Sequence, residues 1–235
     1  MGGRYRNEQK YLLNKAESAI LHQRTRGLLE KDRNLGGRES YLIRSIYFDD
    51  FDNNCLYEKI DGVDNRKKWR IRSYNCDDSV IHLECKKKVH NLTLKESVSI
   101  TRRQLEDALS GNVKISDEYP ELWNQFALGV LSLGYRPVTI VQYDRIPYIW
   151  KPSNVRITFD RNLASGEMFD RFFDENLPVR SIMPLNMDLL EVKFDSMLPD
   201  HLRHVLNIEN MAIVSFSKYE LCRKMPINGA IGGLL

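Results

Sequence analysis

Residues 66–97 carry the clearest pattern in the chain: three strand-like runs in which charge stands where a fully buried strand would be apolar. A strand sends successive side chains to opposite faces. Arg70 and Arg72 therefore share one face and Trp69 and Ile71 the other. His82, Glu84 and Lys86 oppose Ile81, Leu83 and Cys85, and Thr93, Lys95 and Ser97 oppose Leu92, Leu94 and Val98. The same alternation recurs far away. Residues 4–13 place Arg4, Arg6, Glu8 and Lys10 together, 138–149 bring Arg145 onto a face with Thr139 and Tyr143, 153–160 pair Arg156 with Asp160, and 189–195 set Glu191 and Lys193 against Leu190, Val192 and Phe194. A further strand, 40–50, is rich in β-branched and aromatic residues, and Pro147 predicts a strand end or an edge.

Between these runs the period changes. Asn14 is positioned to cap a helix over about 15–31, with Ala16, Ala19, Ile20, Leu28 and Leu29 as its apolar side. Residues 53–61 read as a short helix that Asp49 and Asp50 cap and Gly62 ends. Thr101 caps a helix that stops at Gly111, and Leu122, Phe126, Val130 and Leu133 mark another over 121–133. Pro199 opens a helix to about Asn210, and 215–223 form a terminal one, while 162–184 read as irregular.

One wet face on an open sheet would account for each strand taken singly. About eight such strands tend to curl and close, and the amphipathic helices can cover the apolar faces. The charged faces then line an interior whose repulsion is costly unless a polyanion enters. Phosphate chains with a divalent metal suit it: Arg forks match phosphate oxygens, Lys supplies point charge, and carboxylates hold the metal.

At 235 residues, 42% hydrophobic and 29% charged, the chain is expected to be one globular domain, 1–235. The net charge is only +3, yet residues 66–103 hold eleven Lys or Arg, which favours a local anionic ligand over nucleic acid. Lys87, Lys88, Arg102 and Arg103 fall off the inward phase and read as solvated surface. The four cysteines lack CxxC spacing, with Cys85 a core residue, and His201 and His204 lack a third metal ligand. No signal-like or membrane-spanning apolar run is present and no GxxxxGK[ST] occurs, so a cytoplasmic protein without direct membrane insertion is expected.

The runs NEQKYLL, SIYFDD, WRIRSYN, HLECKKK, YDRIPYI, VRITFD, LLEVKFD and FSKYE, in this order, resemble the VTC domain, the polyphosphate-polymerase branch of the CYTH-like triphosphate tunnel metalloenzymes. The resemblance runs from about Arg4 to Arg223. It implies an α+β fold: an eight-stranded antiparallel β-barrel, or tunnel, with helices packed outside. It also implies ATP and inorganic polyphosphate as partners and Mn²⁺ or Mg²⁺ as cofactor. Motif by motif, it implies catalytic and phosphate-binding roles for Lys10, Arg70, Arg72, Lys86, Lys95, Arg145, Arg156, Lys193 and Lys218, the last near the tunnel mouth. Glu191 resembles the metal-binding glutamate, with Glu84 and Glu8 as further candidate ligands; Glu84 reads equally as a salt-bridge partner, and Asp160 as a partner for Arg156 or a turn residue.

Two departures from the pattern stand out. Arg6 replaces the first acid of the ExExK that hydrolytic and cyclase relatives carry, and Ser97 stands where many relatives keep a second base. The first favours transfer of the ATP γ-phosphate to a growing polyphosphate chain. The alternatives are a metal-dependent tripolyphosphatase or triphosphatase, or a non-catalytic polyphosphate-binding module. No attached SPX-like or membrane segment is expected, so product export would call for a membrane-protein partner.

Overall fold

A computed structural model describes residues 6–89, 92–184, 186–207 and 211–224. Residues 4 and 5 of the expected first strand and 208–210 of an expected helix lie outside them. In chain order the elements are β1 (Asn7–Asn14), α1 (Lys15–Leu28), β2 (Glu30–Lys31), β3 (Tyr41–Asp49), α2 (Asn54–Ile60), β4 (Arg66–Tyr74), β5 (Asp77–Val89), β6 (Leu92–Ile100), α3 (Arg102–Ser110), α4 (Glu121–Leu133), β7 (Arg136–Trp150), β8 (Val155–Gly166), β9 (Arg180–Ser181), β10 (Met187–Phe194), α5 (Asp200–Leu206) and α6 (Lys218–Lys224).

Eight strands pair in the order β1-β10-β8-β7-β3-β4-β5-β6, every neighbour antiparallel, with β2 added to β7 and β9 to β8. The expected barrel does not close: among the described residues β1 and β6 form no ladder. Side chains meet across the gap instead. Glu8 on β1 takes a 2.9 Å ion pair from Lys86 on β5, which curls the sheet around its charged face. The free edge of β1 is partly covered where Val214 N–H donates to the Lys10 carbonyl. An edge blunted this way does not invite another strand.

Two apolar clusters cover the outer face. Ile46, Phe48, Trp69, Ile71, Leu83 and Cys85 pack under α3 and α4, where Phe126 meets the Phe48 ring edge-on at 4.9 Å. Tyr11, Leu13, Ile157, Phe159, Leu190 and Val192 pack under α1 and α5. Each such side chain removed from water contributes about 1.5–3 kcal/mol before entropy is counted. A third cluster lies on the inner face: Tyr41, Ile43, Tyr47, Val141 and Tyr143 meet Leu56, Tyr219 and Cys222. So α6 sits against the inside of the sheet, whereas all helices were expected outside. Its Tyr219 and Cys222, one helical turn apart, supply the apolar side that holds it there.

Local signals formed as expected at several points. Asn14 and Thr101 both build capping boxes, and Asp49 accepts from Cys55 N–H at 2.9 Å and Leu56 N–H at 3.2 Å, while Asp50 accepts from Asn54 N–H at 2.9 Å. Pro147 marks a local edge, between the last β3 pairing at Arg145 and the first β2 pairing at Tyr148, but β7 continues through it to Trp150. Three expectations fail. Ala16, Ala19, Ile20 and Leu28 face solvent; α1 buries Ser18, Leu21 and Thr25, because Ser18 donates to the buried Asp188 and Thr25 to the Leu21 carbonyl. Leu133, expected on the apolar stripe of α4, is exposed, since the helix ends there at Gly134. Residues 162–166 are strand, as β8 runs on to Gly166 and β9 pairs with it.

Candidate phosphate-binding site

Alternation places Glu8 and Lys10 from β1, Arg70 and Arg72 from β4, Glu84 and Lys86 from β5, Lys95 from β6, Arg145 from β7, Arg156 and Asp160 from β8, and Glu191 and Lys193 from β10 on the inner face. The structure brings them into three networks. In the first, Glu84 is 2% exposed and takes Arg70 Nε at 2.7 Å and Arg70 Nη2 at 2.6 Å on Oε2, and Lys95 Nζ at 2.6 Å on Oε1. Arg72 Nη1 stands 3.8 Å away and Arg72 Nε donates to Ser45 Oγ at 3.1 Å.

The second network centres on Glu191. Its Oε1 takes Lys218 Nζ at 2.6 Å, and its Oε2 takes Arg145 Nη2 at 3.2 Å and Lys193 Nζ at 3.4 Å. Asp160 is held in a fork by Arg145, both bonds at 2.6 Å, and shares Lys218 at 2.7 Å. Lys193 also approaches Glu8, which pairs with Lys10 at 3.5 Å and with Lys86. Lys10 Nζ donates to the Phe216 carbonyl at 2.7 Å. Tyr143 links the two networks, since its hydroxyl accepts from Arg72 at 3.4 Å while Arg145 and Lys218 lie over its ring. The third group is Arg156, paired with Asp32 at 2.8 Å and donating to Tyr41 Oη at 3.1 Å.

Burial works against the ionised forms of Glu191, Glu84, Glu8 and Lys193, and at the three carboxylates the cationic partners outweigh it. Burial would raise the Glu191 carboxyl, but Lys218, Lys193, Arg145 and Lys10 hold it well below the ordinary carboxylate range. Glu84 is lowered in the same way, against burial, by Arg70, Arg72 and Lys95, and Glu8 by Lys193, Lys86 and Lys10. Lys193 goes the other way: burial brings it down to about 8 despite Glu8 and Glu191. Positive charge nonetheless exceeds negative on this face, and Arg156 Nε and Thr158 Oγ1 are buried without a hydrogen-bond partner. Unmet polar groups of this kind cost about 1–3 kcal/mol each, a cost that an anion with several oxygens would relieve at Arg156 Nε and, as acceptor for the hydroxyl proton, at Thr158.

Several placements differ from the sequence reading. Asp160 partners Arg145 and Lys218 rather than Arg156. Lys218 is held between Asp160 and Glu191, with its side chain 10% exposed. Asp32, Tyr47 and Lys68 also complete the face without being candidates in the sequence, and Tyr143, expected beside Arg145, joins them. For Lys68 a signal existed, since it precedes Arg70 by two and shares its face. Arg6 turns away to Asp195 at 3.0 Å, so β1 offers one carboxylate to the interior.

No three His, Cys, Asp or Glu side chains are grouped to hold a metal among the described residues. The donors nevertheless fit a hard cation supplied with further oxygens. Glu191 and Asp160 both reach one ammonium, Lys218, so two hard carboxylates already converge on a cationic position. Mg²⁺ and its like commonly bind one or two carboxylates and complete their shell with water and phosphate. Glu84 and Glu8 are likewise engaged, by Arg70 and Lys95, and by Lys10, Lys86 and Lys193, the last shared with Glu191.

Eight antiparallel strands thus curl around a basic inner face that holds buried carboxylates. The VTC domain profile matches residues 5–225, and the chain belongs to that family. In fold it is similar to a Bacillus halodurans protein proposed as an adenylate cyclase (15% identity, 98% of this chain and 97% of that one, TM-score 0.52). It is likewise similar to a Hippeastrum protein proposed as an adenylyl cyclase and described as having a dominant triphosphatase activity (13% identity, 93% and 95%, TM-score 0.55). No curated protein matches it in sequence. No described helix is long and apolar enough to cross a membrane.

Proposed function

We propose that the protein is a polyphosphate polymerase that moves the ATP γ-phosphoryl group onto the end of an inorganic polyphosphate chain. The observation that carries this reading is the inner face itself, where Arg70, Arg72, Arg145, Lys193 and Lys218 converge with carboxylates already ionised. In the reaction a terminal oxygen of the chain bonds to the γ-phosphorus. The bond from that phosphorus to the β–γ bridging oxygen breaks, and ADP carries the electron pair away. The nucleophile is already anionic, so no side chain need take a proton. The work left to the protein is positioning and charge neutralisation.

In this reading the Arg70 and Arg72 forks grip non-bridging oxygens, and Lys86, Lys95 and Lys193 line up the incoming chain. Lys10, Arg145, Arg156 and Lys218 complete the cationic ring. Mn²⁺ or Mg²⁺, when bound at Glu191 and Asp160, would neutralise phosphate charge. Two features favour transfer over hydrolysis. Arg6 stands at the position of a second first-strand acid and faces Asp195. Tyr219, Cys222, Tyr47 and Tyr143 also pack apolar surface on the inner face, which would limit the water that competes with a phosphate nucleophile.

The test is incubation of the purified protein with ATP and Mn²⁺ or Mg²⁺, reading long polymer on a gel beside free phosphate and ADP. Polymer formed in step with ADP supports the proposal. Free phosphate without polymer would make the chain a hydrolase like the Hippeastrum neighbour, and binding without turnover a polyphosphate-binding module.

A further inference from the structure

The inner face of β4 carries a base at four successive positions, Arg66, Lys68, Arg70 and Arg72, before it ends at Tyr74. At about 3.3 Å of rise per residue this row is about 20 Å long. Its two halves differ. The Arg70–Arg72 half faces Glu84. In the other half Lys68 lies opposite Lys86 and Arg66 opposite Lys88 in the ladder, so Lys88 is in the inward phase, contrary to the sequence reading, and Lys86 lies opposite Lys95. Like charges directly opposite one another in a sheet are destabilising.

The carboxylates near this half are engaged by cations other than Lys68. Glu8 takes Lys86, Glu220 on α6 takes Lys59 at 3.4 Å and Lys224 at 2.7 Å, and Asp64 acts on Lys88. Among the described residues Lys68 has no carboxylate partner. Its Nζ stands 3.5 Å from Ser217 Oγ and 5.0 Å from the centre of the Tyr219 ring. Burial, then the charges of Lys59 on α2, Lys86 and Arg66, push Lys68 down to about 7. The half is also open to solvent, with the Lys86 and Lys95 side chains 39% and 50% exposed.

We propose that Lys68, with Lys86 beside it, forms a phosphate subsite beyond those that grip a triphosphate, and that its ligand is the continuation of a longer inorganic phosphate chain. The inference rests on the reading of the inner face as a phosphate site and deepens it: β4 offers cations over more length than three phosphates require. A ligand that ends at its third phosphate stays with the Arg70–Arg72 half. A longer chain reaches Lys68 and supplies the anion that this lysine lacks.

The experiment compares the affinities of tripolyphosphate and of a defined long-chain polyphosphate by calorimetric titration, without nucleotide or turnover, in the wild type, Lys68→Met and Lys68→Arg. The wild type should favour the long chain. In Lys68→Met that preference should shrink about tenfold, the worth of one charged hydrogen bond, and Lys68→Arg should restore most of it. Lys68→Met should also melt higher than the wild type without ligand, because a repelled cation is gone. An unchanged preference in Lys68→Met would overturn the subsite while leaving the phosphate site intact. Failure of the wild type to bind either anion would overturn both.

Discussion

Lys86 Nζ on β5 lies 2.9 Å from Glu8 Oε2 on β1, although β1 ends the sheet order on one side and β5 is next to last on the other. A charge pair thus spans the seam that no backbone ladder closes. Glu8→Gln would leave Lys10, Lys86 and Lys193 facing one another without their shared carboxylate. Because Lys86 is 39% exposed and water screens the pair, the effect is modest, a loss of about 1 kcal/mol of stability without ligand. Tripolyphosphate should then raise the melting temperature of Glu8→Gln by more than that of the wild type. A smaller rise would mean that Glu8 assists the anion instead of standing in for it.

Acid should destabilise the protein through the same carboxylates. Glu8, Glu84 and Glu191 are ionised in the folded state at pH values where an ordinary glutamate, near 4.5, takes a proton. Their contribution is present above pH 4.5 and lost as pH falls below it. Lys68 and Lys193 act with the opposite sign. Folded values of about 7 and about 8, below the ordinary 10.5, mean that the unfolded chain binds more protons across this interval. Stability from these two groups therefore rises with pH from about 7 to 9. Above that the buried thiols Cys55, Cys85 and Cys222, all raised above 9.0, oppose the gain. Chemical denaturation at a series of pH values would show both limbs, and a flat profile between pH 7 and 9 would contradict the burial of the two lysines.

Phosphate affinity should move against stability over that interval. Raising the pH through 7 to 8 neutralises Lys68 and Lys193 in the free protein, so polyphosphate binding weakens and takes up protons. Titrations in buffers of different ionisation enthalpy count those protons directly; release of protons on binding would contradict the assignment.

Tyr219 stacks on Tyr47 at 5.0 Å and donates its hydroxyl to Asp49. Tyr219→Ala would open this apolar surface of the inner face to water, at a cost of about 3–5 kcal/mol if the site does not collapse. Among the products formed from ATP, free phosphate should rise relative to polymer. An unchanged product ratio in a folded variant would show that α6 does not govern water.

Much of the site was legible because strand alternation is local. Trp69 and Ile71 against Arg70 and Arg72 declare two faces without knowledge of the fold, and the same holds for Glu191 and Lys193. What alternation cannot give is register. Asp160 and Arg156 share a face four residues apart, too far along a strand to pair; the partner is Arg145, directly opposite on β7, and only the β7–β8 ladder reveals it. Closure was equally hidden, since repeated charged faces are common to an open curl and a barrel. The face of α1 was misread because its buried positions include Ser18 and Thr25, which hydrogen bonds make compatible with burial. Lys218 was found by motif, but its depth depends on α6 packing against the inner face, which Tyr219 and Cys222 signal only once a concave surface exists.

The most direct test of the account is tripolyphosphate binding to the wild type and to Arg70→Ala, followed by calorimetry at two salt concentrations. The account expects the wild type to bind, weakening as salt rises, and Arg70→Ala to lose at least about tenfold in affinity. Equal binding by Arg70→Ala and the wild type would place the anion elsewhere and contradict the assignment of the inner face.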